Sequence, residues 1–587
     1  VISNKIAQSI LIIFIIFLSH SFVLGNAVYW TGPPDIESDW FSNNNWDGEV
    51  PGPFDEAFID NNGIALISEG FATAGRLLLP SGTSMPNGND NVGHLVISGG
   101  NLTISGALGL SSLHYLSTLT VNNGDLLVQG DSFIQGQFVQ RGGTVTTDEM
   151  ILSDPKYIDR TYVLEAGDLT LNDRLEIGWI DNDANYVQTN GNLTADEILV
   201  GAASTWNGKG CFNLSGGNVN AFACVVSDHG SMVQSGGSCT FDLLLNEGEY
   251  SFSEPYPNIE ARIDATISHI LGTFRQAGGE HVCKQELMVS GLYVLAGGVN
   301  KANKLTISTQ TGTGNATYKM EGGSLRSSEM TIGDRYGDGL LEVAVNCVAL
   351  VDKNVRVMEN SLIDLSQGGQ MWVGNCDSGI QKAITVGTDG VLEGTGNVQG
   401  SVYISGTAVP GWPVWPNGYL EYQPGTLEIS NGYEQDQEGT LTVLLGGTGE
   451  ENISHLSITG DAKIGGSLNV LLVDGYTPSI GDEVTILSSQ VLDGKFNADD
   501  DIVKTNNGHS FKLNYSGTAV TLIGLSRADF DHSGKVDTED LLYLASSWLC
   551  NCNGPLWCDG ADLDKNGRVD LVDFSLLADE WMEGVTQ

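Results

Sequence analysis

From about residue 90 to residue 400, apolar and polar positions alternate in short runs broken by glycine. Phe138-Val-Gln-Arg-Gly-Gly143-Thr-Val145 lines up with Tyr162-Val-Leu-Glu-Ala-Gly167-Asp-Leu169. Tyr186, Gly191 and Leu193 repeat the register, as do Phe212, Gly217 and Val219, and Tyr318, Gly323 and Leu325. A large apolar residue at i is followed by glycine at i+5 and an apolar residue at i+7. Leu95, Leu119, Met232, Phe274 and Tyr293 open further, looser copies, and the gap from Met232 to Phe274 has the length of two. The mean period is about 22 residues, in the range of solenoid repeats. A second alternation follows each glycine, as in Leu175-Glu-Ile177, Ile198-Leu-Val200, Leu305-Thr-Ile307 and Met330-Thr-Ile332. Period-two alternation places every second side chain on one face of a strand, and glycine suits a bend with positive φ or close backbone approach. One such coil cannot bury its apolar face alone, whereas stacked coils share a core. The expected fold is all-β: a right-handed parallel β-helix (β-solenoid) over residues 91–400.

The register assigns several reactive residues. Cys239 falls at i+7, the place of Val145 and Leu169, and reads as core rather than as a nucleophile. His281 falls at the same place, with Val282 able to take the core position through a one-residue slip; no catalytic partner stands beside it in the pattern. Asp181-Asn-Asp183 and Asp334-Arg-Tyr-Gly-Asp338 read as solvated turns between strands, with calcium or sugar contact as the alternative.

At the beginning of the sequence Lys5 precedes an apolar run, Ile10 to Leu18, and then small residues to Ala27. A basic start, a short apolar stretch and a small-x-small end predict a secretory signal over residues 1–27, cut after Gly25 or Ala27. Nine strongly apolar residues are too few for an anchor helix, which needs about 20, and no later stretch reaches that length. A secreted, extracellular or cell-surface location is expected, with no membrane span in the mature chain. Acidity adds an exclusion: 26 basic against 72 acidic residues give a net charge of −46. Such a chain repels nucleic acid and anionic membranes and has no basic patch to override this. Nine cysteines are too few for a disulfide scaffold in 587 residues. Cys550, Cys552 and Cys558 lack a fourth zinc ligand at finger-like spacing, so a local disulfide is expected there.

Both flanks of the ladder carry their own patterns. In residues 28–90 the motifs Trp30-Thr-Gly32, Asn45-Trp46, Pro51-Gly52 and Asp55-Glu-Ala-Phe-Ile59 resemble the opening segment of secreted bacterial β-helix proteins. Trp30, Trp40 and Trp46 suit either a plug for the open end of the core or a sugar-stacking platform. Residues 401–525 form a β-rich segment. Gly394-Thr-Gly396, Val409-Pro-Gly411, Gly425-Thr-Leu427, Gly460-Asp-Ala462 and Gly465-Gly-Ser-Leu468 resemble the C-terminal part of autotransporter-passenger-like surface proteins. Trp412-Pro-Val-Trp415-Pro departs from that family's serine-rich turn. The resemblance implies structure and adhesion more than chemistry.

Residues 526–587 hold the most specific motif. Asp529, Asp531, Ser533 and Asp540 stand at positions 1, 3, 5 and 12 of one loop, and Asp562, Asp564, Asn566 and Asp573 repeat them 33 residues on. With the position-7 carbonyls of Lys535 and Arg568, and with Asp537 and Asp570 at position 9 acting through water, each loop approaches the six to eight oxygens that calcium requires. Gly534 and Gly567 permit the sharp turn, and Val536 and Val569 are placed to join the loops through their backbones. Helices are predicted over 541–549 and 574–582. The segment resembles a type I dockerin, which implies a small α-helical calcium-binding domain holding two calcium ions and docking onto a cohesin-like protein. The partner-selecting positions of that family correspond to Thr538, Glu539, Leu571 and Val572, which depart from its common Ser/Thr pair.

No assembled catalytic set accompanies these modules. A glycosidase needs paired carboxylates and a lyase needs a base near a cation. Asp228-His229-Gly230 is the only echo of a polygalacturonase motif, and no metalloprotease, serine-hydrolase or phosphate-loop signature occurs. The expectation is a non-catalytic surface or scaffold protein, with no catalytic residue assigned. The alternatives are a dockerin-bearing polysaccharide lyase or glycoside hydrolase and a polysaccharide-binding adhesin.

Overall fold

The structure is a computed structural model. It describes residues 25–79, 92–110, 117–153, 162–178, 183–202, 208–253, 261–309, 316–334, 337–365, 368–374, 383–414, 421–505, 509–553 and 557–581. The expected signal segment therefore lies outside the described residues, apart from Gly25 to Ala27. Short strands provide most of the regular structure, and the described residues include two α-helices, α1 (Thr538–Ser546) and α2 (Leu571–Asp579). The chain divides into two compact units, Val1–Ala265 and Thr266–Gln587.

In the first unit the repeat starts lie side by side in parallel strands. Leu95 pairs with Leu119, Leu119 with Phe138, Phe138 with Tyr162, Tyr162 with Tyr186, Tyr186 with Phe212 and Phe212 with Met232. Val145, Leu169, Leu193, Val219 and Cys239 make a second column, all buried. Tyr250 pairs with Met232 and begins a copy that the sequence pattern hides, because Pro255 replaces its glycine. The predicted glycines stack. Gly167 has φ 92°, and a Cβ there would sit 2.4 Å from the carbonyl oxygen of Gly143. Gly191 repeats this with φ 84° and 2.5 Å to Gly167. Any side chain at these corners would push the coils apart.

Close stacking creates a second demand, since carbonyls that turn inward at the corners need donors. Buried glutamines two residues after the repeat start supply them. Gln188 Nε2 donates to Gly191 O (3.0 Å) and to Asn218 O on the next coil (3.1 Å), while its Oε1 accepts from Tyr186 Oη. Gln140 and Gln234 do the same, accepting from Tyr162 and Tyr250. One glutamine spans two coils, so alternate coils are free to carry Leu164, Leu214 and Phe252 at this place. Coils therefore work in pairs.

In the second unit Phe274, Tyr293, Tyr318, Leu341, Ile363 and Leu392 pair successively in parallel. Asn346 turns the corner at φ 62° where earlier copies use glycine. Parallel pairing continues past residue 400, to Thr440–Leu445 with Ser467–Leu472 and Asp461–Ile464 with Val491–Gly494. Antiparallel strands Glu483–Ser488, Ser510–Tyr515 and Ala519–Leu525 follow. His281, rather than Val282, takes the inward place, paired with Asn300 and fully buried. It is accommodated by a polar cluster: His281 Nδ1 lies 3.0 Å from Tyr293 Oη, and Nε2 lies 3.1 Å from Ser268 Oγ and 3.3 Å from Cys283 Sγ. Cys283 is buried, and burial pushes its thiol up to about 12, which disfavours the thiolate.

Trp30 and Trp40 each pack edge-on against Trp46 with centroids 4.9 Å apart, and all three are buried. These rings fill the beginning of the core and are not available to stack on a sugar.

The glutamine bridges generate a test. Gln188→Leu adds apolar surface at a place where neighbouring coils carry leucine, yet leaves two carbonyls without donors. It should lower stability by about 2 kcal/mol, read as a lower thermal midpoint. An unchanged midpoint would show that the bridges are dispensable.

Candidate metal centres

The two loops, Asp529–Asp540 and Asp562–Asp573, each lead into a helix. Asp537 caps α1 by accepting from Glu539 N (3.0 Å), and Asp570 caps α2 by accepting from Val572 N (2.9 Å). The loop-end carboxylates answer: Asp540 accepts from Asp537 N (3.0 Å) and Asp573 from Asp570 N (2.8 Å), completing capping boxes. These caps start the helices three residues earlier than the hydrophobic pattern suggests. Residue 582, the expected end of α2, lies outside the described residues.

Folding gathers three carboxylates in each loop. Ligand oxygens of Asp529, Asp531 and Asp540 lie within 4.8 Å of one another, and those of Asp562, Asp564 and Asp573 do likewise. Backbone donors hold them: Ser533 N and Gly534 N donate to Asp529, and Asn566 N and Gly567 N donate to Asp562, at 2.8–3.1 Å. The first and last carboxylates of each loop are at least 98% buried. Burial, with repulsion from Asp540, raises Asp529 to about 6, and burial with repulsion from Asp573 raises Asp562. A cation relieves the repulsion between carboxylates at this spacing, so either triad could hold a metal ion. The all-oxygen donor set suits a hard divalent ion.

The remaining predicted positions lie beside the triads. Asp537 and Asp570 serve as caps and lie outside the triads. Ser533 Oγ donates to Lys535 O (3.3 Å), and Asn566 Oδ1 accepts from Arg568 N (3.0 Å), so positions 5 and 7 are tied within each loop. Val536 and Val569 share a buried cluster with Phe530, Leu544 and Leu577. Their backbones do not join as expected: Val569 N donates to Cys550 O (3.2 Å) and Val569 O accepts from Leu549 N (2.8 Å). The connector has displaced the other loop. The expected local disulfide joins Cys552 to Cys558 and leaves Cys550 an exposed thiol. Thr538, Glu539, Leu571 and Val572 are all exposed at the helix starts.

Other candidate residues stay apart. Asp228 and His229 lie 3.5 Å from each other on an open turn. Asp183 accepts from Lys209 N (2.9 Å), and Asp334 closes a turn onto Gly337; their partners in those motifs, residues 181–182 and 335–336, lie outside the described residues, as does Trp415.

One column escaped the sequence reading. Glu342, Asp364 and Glu393 pair across consecutive strands of the second unit, beside Lys319, whose Nζ is 3.3 Å from Glu342. Each stands one residue after a repeat start, so the signal existed. It was obscured because Asn346 replaces a corner glycine and an extra residue precedes Ala349. Glu393 is buried, and burial with repulsion from Asp364 raises it to about 7. In the first unit burial raises Glu176 to about 7 as well, although Arg174 lies 3.7 Å away.

No protein-family model matches the chain, and no curated protein matches it in sequence. No helix among the described residues is long and apolar enough to cross a membrane.

A carboxyl raised from 4.5 to about 7 binds its proton more tightly folded than unfolded. Its contribution is most favourable below pH 4.5 and is lost as pH rises to 7. Glu393→Gln should therefore leave stability at pH 4 nearly unchanged and raise it at pH 8 by on the order of 3 kcal/mol. Denaturant titrations at the two pH values check this; equal effects at both would refute the shift.

Proposed function

We propose that this chain is a secreted, non-catalytic surface or scaffold protein. In this reading its ladders are the coils of a right-handed parallel β-helix, and a calcium-dependent, dockerin-like module attaches it to a cohesin-type partner. The assembly served is polysaccharide-degrading or adhesive. Handedness follows from the strong preference of parallel crossovers for the right-handed path. The observation that carries the reading is the duplication: two buried carboxylate triads, each continuing into its own capped helix.

The ion supplies the positive charge that lets three carboxylates share a site. Asp529, Asp531 and Asp540 would hold the first calcium and Asp562, Asp564 and Asp573 the second, completed by the Lys535 and Arg568 carbonyls and by Ser533 and Asn566. From Arg527 onward four basic residues face thirteen acidic ones, which sharpens the dependence on the ion. Leu542, Leu571 and Val572 are 73%, 71% and 48% exposed, and such apolar side chains at the helices favour a protein partner. Export accounts for the N-terminal apolar segment and for the disulfide.

A second reading, a carbohydrate-active enzyme, is favoured by one observation. Glu393, with its raised carboxyl, pairs with Asp364 on the adjoining strand, and acid–base cleavage of a glycosidic bond uses two neighbouring carboxyl groups. A reducing-sugar assay on plant and algal polysaccharides separates the two; turnover lost in Glu393→Gln would favour the enzyme.

Calcium dependence gives the direct test. Limited proteolysis of the full chain in chelator should cut within residues 527–581 while the strands of both units resist, because metal binding is coupled to folding of the module. Asp529→Ala with Asp562→Ala should behave like chelation and abolish capture of a cohesin-type partner. Equal resistance with calcium and chelator would defeat the reading.

A further inference from the structure

We infer that the Cys552–Cys558 disulfide is the positioning element of the second metal loop, so that the ion affinity of this loop alone is set by the redox state of the connector. This inference rests on the calcium reading of the triads.

The connector between the helices runs antiparallel along the second loop through one isolated bridge and its neighbouring hydrogen bonds. Leu549 N donates to Val569 O (2.8 Å), Val569 N to Cys550 O (3.2 Å) and Cys552 N to Gly567 O (2.8 Å), with Asn551 bridged to Arg568. These bonds fix positions 6 to 8, including the residue whose carbonyl is the position-7 ligand. On the other side of the disulfide, Ala561 N donates to Cys558 O (3.1 Å) and Asp562 N to Trp557 O (3.1 Å). That turn delivers Asp562, the position-1 ligand. One covalent bond therefore joins the two arms that present positions 1 and 7 of the same loop.

The turn is costly without the bond. Trp557, Cys558 and Asp559 have φ of 42°, 56° and 53°, a run of left-handed residues before Gly560. Each non-glycine residue in that region is strained and persists only where its surroundings hold it. Cys552 is anchored in the module's buried cluster with Phe530, Val536, Leu544, Val569 and Leu577, and the disulfide passes that anchorage to the turn. The first loop has no counterpart: Asp529 follows Ser526 and Ala528 with no covalent tie.

Reduction by a dithiol is balanced: two electrons and two protons pass to the Cys552 and Cys558 sulfurs, and the dithiol closes to its own cyclic disulfide. The released turn relaxes toward ordinary φ, Asp562 moves from its triad, and the second site weakens while the first keeps its ligands.

The test uses the full chain and calcium alone, titrated calorimetrically with and without dithiothreitol. In Asp529→Ala, where only the second loop binds, reduction should weaken calcium binding at least tenfold, and Cys558→Ser should reproduce this without reductant. In Asp562→Ala, where only the first loop binds, reduction should change affinity less than twofold. Far-UV circular dichroism with saturating calcium checks that each variant remains folded. Equal affinity of the Asp529→Ala protein in both redox states overturns the inference while leaving the calcium reading intact. Absence of calcium binding by the oxidised, unsubstituted chain overturns both.

Discussion

The distance between neighbouring coils is the constraint on which the rest depends. Parallel strands pair about 4.8 Å apart, and at the corners this brings backbone against backbone with no room for a Cβ. Gly143, Gly167 and Gly191 meet that demand in one column, each under the next. The same closeness turns carbonyls inward, which is why an otherwise apolar core contains Gln140, Gln188 and Gln234. A glutamine reaches both its own corner and the next, so a pair of coils, rather than one coil, is the unit that satisfies its polar groups. The aromatic stack profits from this arrangement, because Tyr162 and Tyr250 bury their hydroxyls against glutamine oxygens instead of leaving them orphaned.

The segment that carries the two loops faces an opposite problem. Its small cluster around Phe530, Val536, Leu544, Val569 and Leu577 is flanked by buried carboxylates that oppose burial until charge is supplied. Asp540 and Asp573 serve two ends at once: each faces its triad and closes the capping box that starts its helix. A cation held by either triad would thereby be coupled to helix formation through a single side chain. The ladder has no such dependence, since its stability comes from apolar burial and backbone pairing.

The carboxylate column Glu342, Asp364 and Glu393 shows how a parallel ladder gathers chemistry from distant sequence. Residues 22 and 29 positions apart become neighbours because each occupies the same place on its strand. Burial then raises the proton affinity of Glu393, as it does that of Glu176 in the first unit. Structural and catalytic consequences of such a column differ only in what can reach it.

Most of the strand register between Leu95 and Tyr318, and the oxygen pattern of both loops, are legible in the chain alone. Alternation along a strand, a glycine corner and ligand spacing in a twelve-residue loop are local constraints, legible within a few residues. Tertiary structure decided what local spacing leaves open. It placed His281 rather than Val282 inward because Ser268, Cys283 and Tyr293 were there to receive it. It gave the Val569 backbone to Cys550 rather than to Val536. It revealed why a glutamine recurs on alternate coils, and it brought Glu393 beside Asp364. Each of these depends on which residue stands opposite, one coil or one connector away. Coil lengths vary too much for the chain alone to state that distance.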